Sequence, residues 1–120
     1  MRDIQLGVVE SQFADIIWSN EPIASSNLVK LCEKELEWKK STTFTVLRRL
    51  CQKGIFQNVD GTVTSLISKD EFYSMQSERF VEETFQGSLP AFLAAFTARK
   101  NLTPEEVATL RRMVDEYEEG

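Results

Sequence analysis

Residues 38 to 54 read WKKSTTFTVLRRLCQKG. Lys39, Lys40, Arg48, Arg49 and Lys53 give this stretch five positive charges, and no Asp or Glu occurs from Trp38 to Val59. Ser41, Thr42 and Thr45 add hydroxyl groups between the charges. Ammonium and guanidinium groups grip phosphate oxygens, hydroxyls bond phosphates or base edges, and a threonine methyl suits the methyl of thymine. The chemistry on offer is recognition of a polyanion, and double-stranded DNA is the partner that this mixture of cation, hydroxyl and methyl suits.

Other chemistries find little support. The chain has no His, so no Ser-His or Cys-His pair can form. Cys32 and Cys51 stand far apart without histidine, which argues against a zinc or copper site; no cofactor is expected. Both cysteines fall at apolar-periodic positions and read as small core residues. No GxGxxG or phosphate-binding glycine loop occurs. Carboxylate chemistry alone stays open, but the acids lie mostly on solvated helix faces, so no enzyme is expected. The opening MRDIQLGVVE carries an early acid and no long apolar core, unlike a signal peptide, and no apolar run approaches the roughly 20 residues that span a bilayer. A cytoplasmic location is the expectation.

Charge is divided along the chain. Residues 1–68 hold eight basic and eight acidic side chains, and residues 69–120 hold six basic and eleven acidic, so the net charge of −5 belongs to the second half. The acidic total therefore says nothing against a basic helix in the neutral first half.

The elements that must carry these residues follow from periodicity. Val9, Phe13, Ile16 and Ile17 recur at helical spacing and predict a first helix from about Val8 to Ser19. NEPIASSN is a break, after which Ser25 or Ser26 is expected to cap a second helix with Leu28, Leu31, Cys32 and Leu36 as its buried stripe. A short turn leads to a third helix, about Ser41 to Lys53, with Thr43, Val46, Leu47 and Leu50 inward and Gly54 as its stop. This is the layout of a helix-turn-helix. Asp60-Gly61 between IFQNV and TVTSLI then signals a two-residue hairpin, a wing. SKDE, with Ser68 and Glu71, opens a fourth helix bearing Phe72, Met75, Phe80 and Phe85. A fifth, about Ser88 to Arg99, spaces Leu89, Phe92, Leu93 and Phe96 along one side. TPEE, with Thr103 and Glu106, opens a sixth that carries Val107, Leu110, Val114 and Tyr117.

The fold class expected is mainly α with a small β-hairpin: a winged helix over residues 1–68 and a C-terminal helical region over residues 69–120. The last three helices are too small to enclose a core alone. Their apolar residues, Phe80, Phe85, Leu89, Phe92, Leu93, Phe96, Val107, Leu110 and Val114, are expected to pair two chains into a homodimer; folding back within one chain is the alternative.

These segments resemble the penicillinase-repressor family of winged-helix repressors, the BlaI/MecI type, over nearly the whole length. LGVVESQFADIIW is similar to the family's opening helix, with Glu10 and Trp18 at its acid and tryptophan positions. The recognition pattern W-x-x-x-T-x-x-T-x-x-x-R-L-x-x-K-G is matched by Trp38, Thr42, Thr45, Arg49, Leu50, Lys53 and Gly54, and SERFVEETFQGSLPAFLAAF and LTPEEVATLRRMVDE resemble the dimerisation helices. The resemblance implies a homodimeric repressor on a two-fold DNA operator. It also implies release through a membrane-bound β-lactam sensor with a protease domain, which in characterised members triggers cleavage in the fifth helix between Asn and Phe. Ala95 and Phe96 stand at that bond here, so the Asn is replaced. The chain ends DEYEEG without the cysteine-rich tail of the family's copper-responsive branch, and in the wing Gln57, Asn58 and Val59 stand where relatives often carry Lys.

The interface expected on DNA comprises Trp38, Lys39, Lys40, Ser41, Thr42, Phe44, Thr45, Arg48, Arg49 and Lys53. Arg48 suits a guanine or a phosphate, Arg49 suits an acid on the first or second helix, and Lys39 and Lys40 suit phosphates. Phe44 is left between a thymine methyl and packing on Trp38 or the wing. A winged helix that docks an acidic protein partner is the competing reading.

Overall fold

A computed structural model of the chain describes residues 6–119. The elements run α1 Val8–Asn20, β1 Ile23–Ala24, α2 Ser25–Leu36, α3 Lys40–Gln52, β2 Phe56–Val59, β3 Thr62–Ser65, α4 Lys69–Phe85, α5 Leu89–Arg99 and α6 Pro104–Glu119. Residues 1–5, on which the reading against a signal peptide partly rests, lie outside the described residues. Three helices followed by a hairpin make a winged helix, as the periodicity predicts. The chain forms two compact units that meet within α4, between Ser77 and Glu78.

The core of the first unit is built from one face of each element. Phe13, Ile17, Leu28, Leu50, Ile55, Phe56, Val63 and Phe72 are fully buried. On α1, Phe13, Ile16 and Ile17 face inward, whereas Val9 stays about half exposed one turn earlier. Trp18 seals one end of this core. Its ring packs on Phe56 and Phe72 with centroids 5.3 and 5.5 Å away, and its indole N–H donates to the Ile67 carbonyl at 3.0 Å. Burial of a tryptophan normally requires such an acceptor for the N–H.

The wing closes as the Asp60-Gly61 pair predicts. Val59 faces Thr62 in the register, which leaves two loop residues, and both take positive φ, 52° at Asp60 and 83° at Gly61. That backbone matches the twist of the flanking strands.

The segment read as a plain break does more than turn. Ile23 and Ala24 add a third strand, so the sheet order is β1-β3-β2 with Ile23 opposite Val63. Extending that antiparallel register places Glu21 opposite Ser65. Pro22 between them has no N–H to continue the ladder. The Glu21 carboxylate takes over instead, accepting from the Ser65 N–H at 2.8 Å and from the Ser65 hydroxyl at 2.8 and 2.9 Å. The expected serine cap of α2 is corrected for a related reason. Ala24 is the N-cap and its methyl offers no acceptor, and the Ser25 N–H is satisfied by the Gly61 carbonyl of the wing turn at 2.8 Å. A backbone partner has replaced the side-chain cap.

In the second unit hydroxyl side chains cap α5 and α6. Ser88 accepts from the Ala91 N–H at 3.1 Å to start α5. At α6 both halves of the capping box form: the Glu106 N–H donates to the Thr103 hydroxyl at 3.1 Å, and the Thr103 N–H donates to the Glu106 carboxylate at 2.9 Å. Phe80, Phe85 and Phe92 gather edge to face with ring centroids 5.6 to 6.1 Å apart, and Phe96 lies tilted against Phe92 at 6.1 Å. Yet no described residue after Ser77 is fully buried.

Two outcomes follow from these contacts. Glu21→Ala leaves the Ser65 N–H and hydroxyl without their acceptor and lowers stability by about 1–3 kcal/mol in urea denaturation. The backbone and hydroxyl hydrogen bonds from Thr103 hold the Glu106 carboxyl below its usual range. Its contribution to α6 is therefore present above the ordinary glutamate pKa and lost as pH falls through the depressed one. An NMR titration shows a Glu106 midpoint below that of a free glutamate, and Thr103→Ala raises it only part of the way back, because the backbone N–H at position 103 still donates.

Candidate nucleic-acid interface

α3 has one buried and one open face. Thr43, Val46, Leu47 and Leu50 are buried, as the spacing predicts, while Lys40, Ser41, Thr42, Thr45, Arg48 and Arg49 are exposed. The turn before it fixes its direction. α2 ends at Glu37 in the left-handed conformation, φ 57°, and the Trp38 N–H returns to the Cys32 carbonyl at 3.2 Å. Trp38 is half-buried and stacks on Phe13 at 5.3 Å between ring centroids. The structure thus places Trp38 as the wedge that sets the entry of α3.

The charges on α3 are unequal in their surroundings. Arg49 pairs with Glu10 of α1 at 3.4 Å, a bond between the open helix and the core's first helix. Lys53 closes α3, half-buried and already engaged in an interaction of its own. Lys39, Lys40 and Arg48 are exposed and have no ion pair among the described residues. Lys39 is the N-cap and Lys40 the first helical residue, and the first turn holds no acid. A helix N-terminus carries partial positive charge and favours acids, so two lysines there work against the helix by about 0.3–1 kcal/mol each. They add positive charge to the open N–H donors of the helix start, an arrangement that suits an anion.

The hydroxyls divide in a similar way. Thr45 donates to the Ser41 carbonyl at 2.9 Å, and Thr43 donates to the Lys39 carbonyl at 3.3 Å inside the core. Thr45 therefore presents an acceptor oxygen and a methyl outward, having used its proton. Thr42 and Ser41 make no side-chain hydrogen bond among the described residues and keep donor and acceptor capacity. Phe44 is half-buried against the core and lines a cleft with Asn58 of β2. Gln57 is tied to its cross-strand neighbour Thr64 at 3.1 Å.

The residues expected to pair chains are all in the second unit. Phe85, Phe92, Leu93, Val107 and Leu110 are half-buried there, while Phe80, Leu89, Phe96 and Val114 are 42 to 60% exposed. Ala95 and Phe96 lie in the middle of α5, both exposed. Sequence reasoning missed the Glu21–Ser65 clasp and the Trp18 hydrogen bond. A proline that interrupts a strand beside a carboxylate was the available signal for the first.

Among the described residues there is no cluster of metal-ligating side chains, and no helix is long and apolar enough to cross a membrane. The family model described as penicillinase repressor matches residues 6–116. The penicillinase repressor of Bacillus licheniformis is 25% identical over 117 residues, covering 94% of this chain and 91% of the relative. With a winged helix, an acid-free third helix and a match over nearly its whole length, the chain belongs to the penicillinase repressor family of transcriptional repressors.

Proposed function

We propose that the chain represses transcription as a homodimer, each copy placing α3 in a major groove of a two-fold DNA operator. The observation that carries this reading is the open face of α3. Cations without acid partners, two of them set against the helix's own dipole, make sense where phosphate arrives. Lys39 and Lys40 bind phosphates at the helix entry. Thr42, Ser41 and Thr45 face base edges, and Arg48 forks onto a guanine or a phosphate. Arg49 and Trp38 hold the helix in place, and Phe44 supports the wing side. Lys53 lies at the far end of the helix, beside the duplex.

Pairing through the second unit is supported by its apolar surface, which has no interior of its own. Isologous contact of α5 and α6 across a two-fold axis would cover Leu89, Phe96 and Val114. The net negative charge of residues 69–120 discourages that unit from lying along DNA. Release by sensor-triggered cleavage at Ala95–Phe96 comes from the family resemblance, and the exposure of both residues fits it. A cut there would divide the pairing surface.

Binding to the chain's own promoter region, followed by fluorescence anisotropy, tests the proposal against docking on an acidic protein. A protein-docking module shows no sequence preference on DNA. Arg48→Ala weakens the operator complex by about 1–3 kcal/mol. Lys39, Lys40 and Arg48 from two copies give about six phosphate contacts at most, so affinity falls about 10³-fold between 50 and 200 mM salt. Lys40→Glu separates function from folding: the acid suits the helix dipole and raises stability by about 0.3–1 kcal/mol, while operator affinity drops. Val114→Asp leaves the fold intact, because the residue is exposed, and sedimentation shows a monomer in place of the dimer.

A further inference from the structure

The cleft between α3 and β2 is lined by Phe44, Leu47, Arg48 and Cys51 of the helix and by Asn58 of the wing. Its floor is apolar. Leu47 is buried, Phe44 and Cys51 are half-buried, and the Cys51 sulfur is a weak acceptor at best. Arg48 and Asn58 are its two exposed polar side chains. The neighbouring wing amide, Gln57, is occupied with Thr64, and side chains alternate along a strand, so only Asn58 turns toward the helix. The Asn58 side chain makes no hydrogen bond among the described residues, and Arg48 has no acid partner.

A guanidinium has five N–H donors in a planar fork, and a bidentate contact to a base uses two. When DNA covers the cleft and water leaves, the remaining donors face an apolar floor. Unsatisfied donors of a charged group are costly there. Asn58 supplies the strong side-chain acceptor that the cleft otherwise lacks.

We propose that Asn58 is a positioning residue for Arg48: on the duplex its Oδ1 accepts from the guanidinium across the cleft and holds the fork toward one base pair. Helix and wing then read DNA as a single unit, although the wing itself carries no cation from Phe56 to Ser65. The inference rests on the assignment of α3 to DNA.

A double-mutant cycle tests it. Affinities of the unaltered full-length chain, Asn58→Ala, Arg48→Ala and the double variant are measured on the operator and on operators altered one base pair at a time. Both altered residues are exposed, and circular dichroism checks that each variant folds. Asn58→Ala weakens binding by about five-fold or more and flattens the base preference at the same position as Arg48→Ala, and it has no effect once Arg48 is gone. Gln57→Ala leaves that base preference unchanged. Equal losses from Asn58→Ala in both backgrounds, or none in either, overturn the inference while the assignment of α3 stands. An unaltered chain without any sequence preference removes the assignment, and the inference with it.

Discussion

A single helix cannot give the same face to two partners, and α3 is where this constraint governs the fold. Four of its residues, Thr43, Val46, Leu47 and Leu50, go to the core. That commitment turns Ser41, Thr42, Thr45 and Arg48 outward, because residues three and four apart share a side. Everything around α3 keeps the division fixed. Trp38 against Phe13 sets where the helix begins, Arg49 to Glu10 ties its far half to α1, and β2 of the wing packs beside the helix. A small rotation of α3 would bury a lysine or expose a leucine, so packing and ligand geometry are held by the same contacts.

Much of this was legible in the sequence because it is local. The inward stripe of α3, the two-residue wing turn and the Thr103–Glu106 capping box depend on residues a few positions apart, and the structure has each of them where the spacing puts it. At Ser68, among the described residues, only the serine half of the box forms, accepting from the Glu71 N–H. What was not legible is long-range and made by side chains acting as backbone. Glu21 finishes a strand ladder that Pro22 cannot continue, and its partner lies 44 residues away. Trp18 finds its acceptor 49 residues away. No periodicity announces such bonds. The N-terminus of α2 shows the same lesson from the other side: serine is a sound cap by propensity, but a carbonyl from the wing turn reached the Ser25 N–H first.

The candidate interface was legible in composition but not in rank. Five basic residues look equal along a string. In the folded chain Arg49 is spent on Glu10, Lys53 is engaged, and Lys39, Lys40 and Arg48 are left for a ligand. Trp38 changes part as well, since its stacking on Phe13 makes it a determinant of helix placement. Only the partner that the fold supplies, as Glu10 does for Arg49, distinguishes a cation that braces from one whose charge stays open.

That ranking bears on why a repressor of this kind should work in pairs. On the proposed reading one copy offers three unpaired cations and a wing without any, a modest electrostatic hold in a cell's salt. Two copies joined through the second unit double the charge, and the second half-site is then met at high effective concentration, so binding gains far more than twofold. The same aromatic surface that leaves the second unit without an interior is what makes that joining favourable. Weak contact per copy and incomplete burial per copy are thus met by one arrangement, and separating the copies would forfeit both.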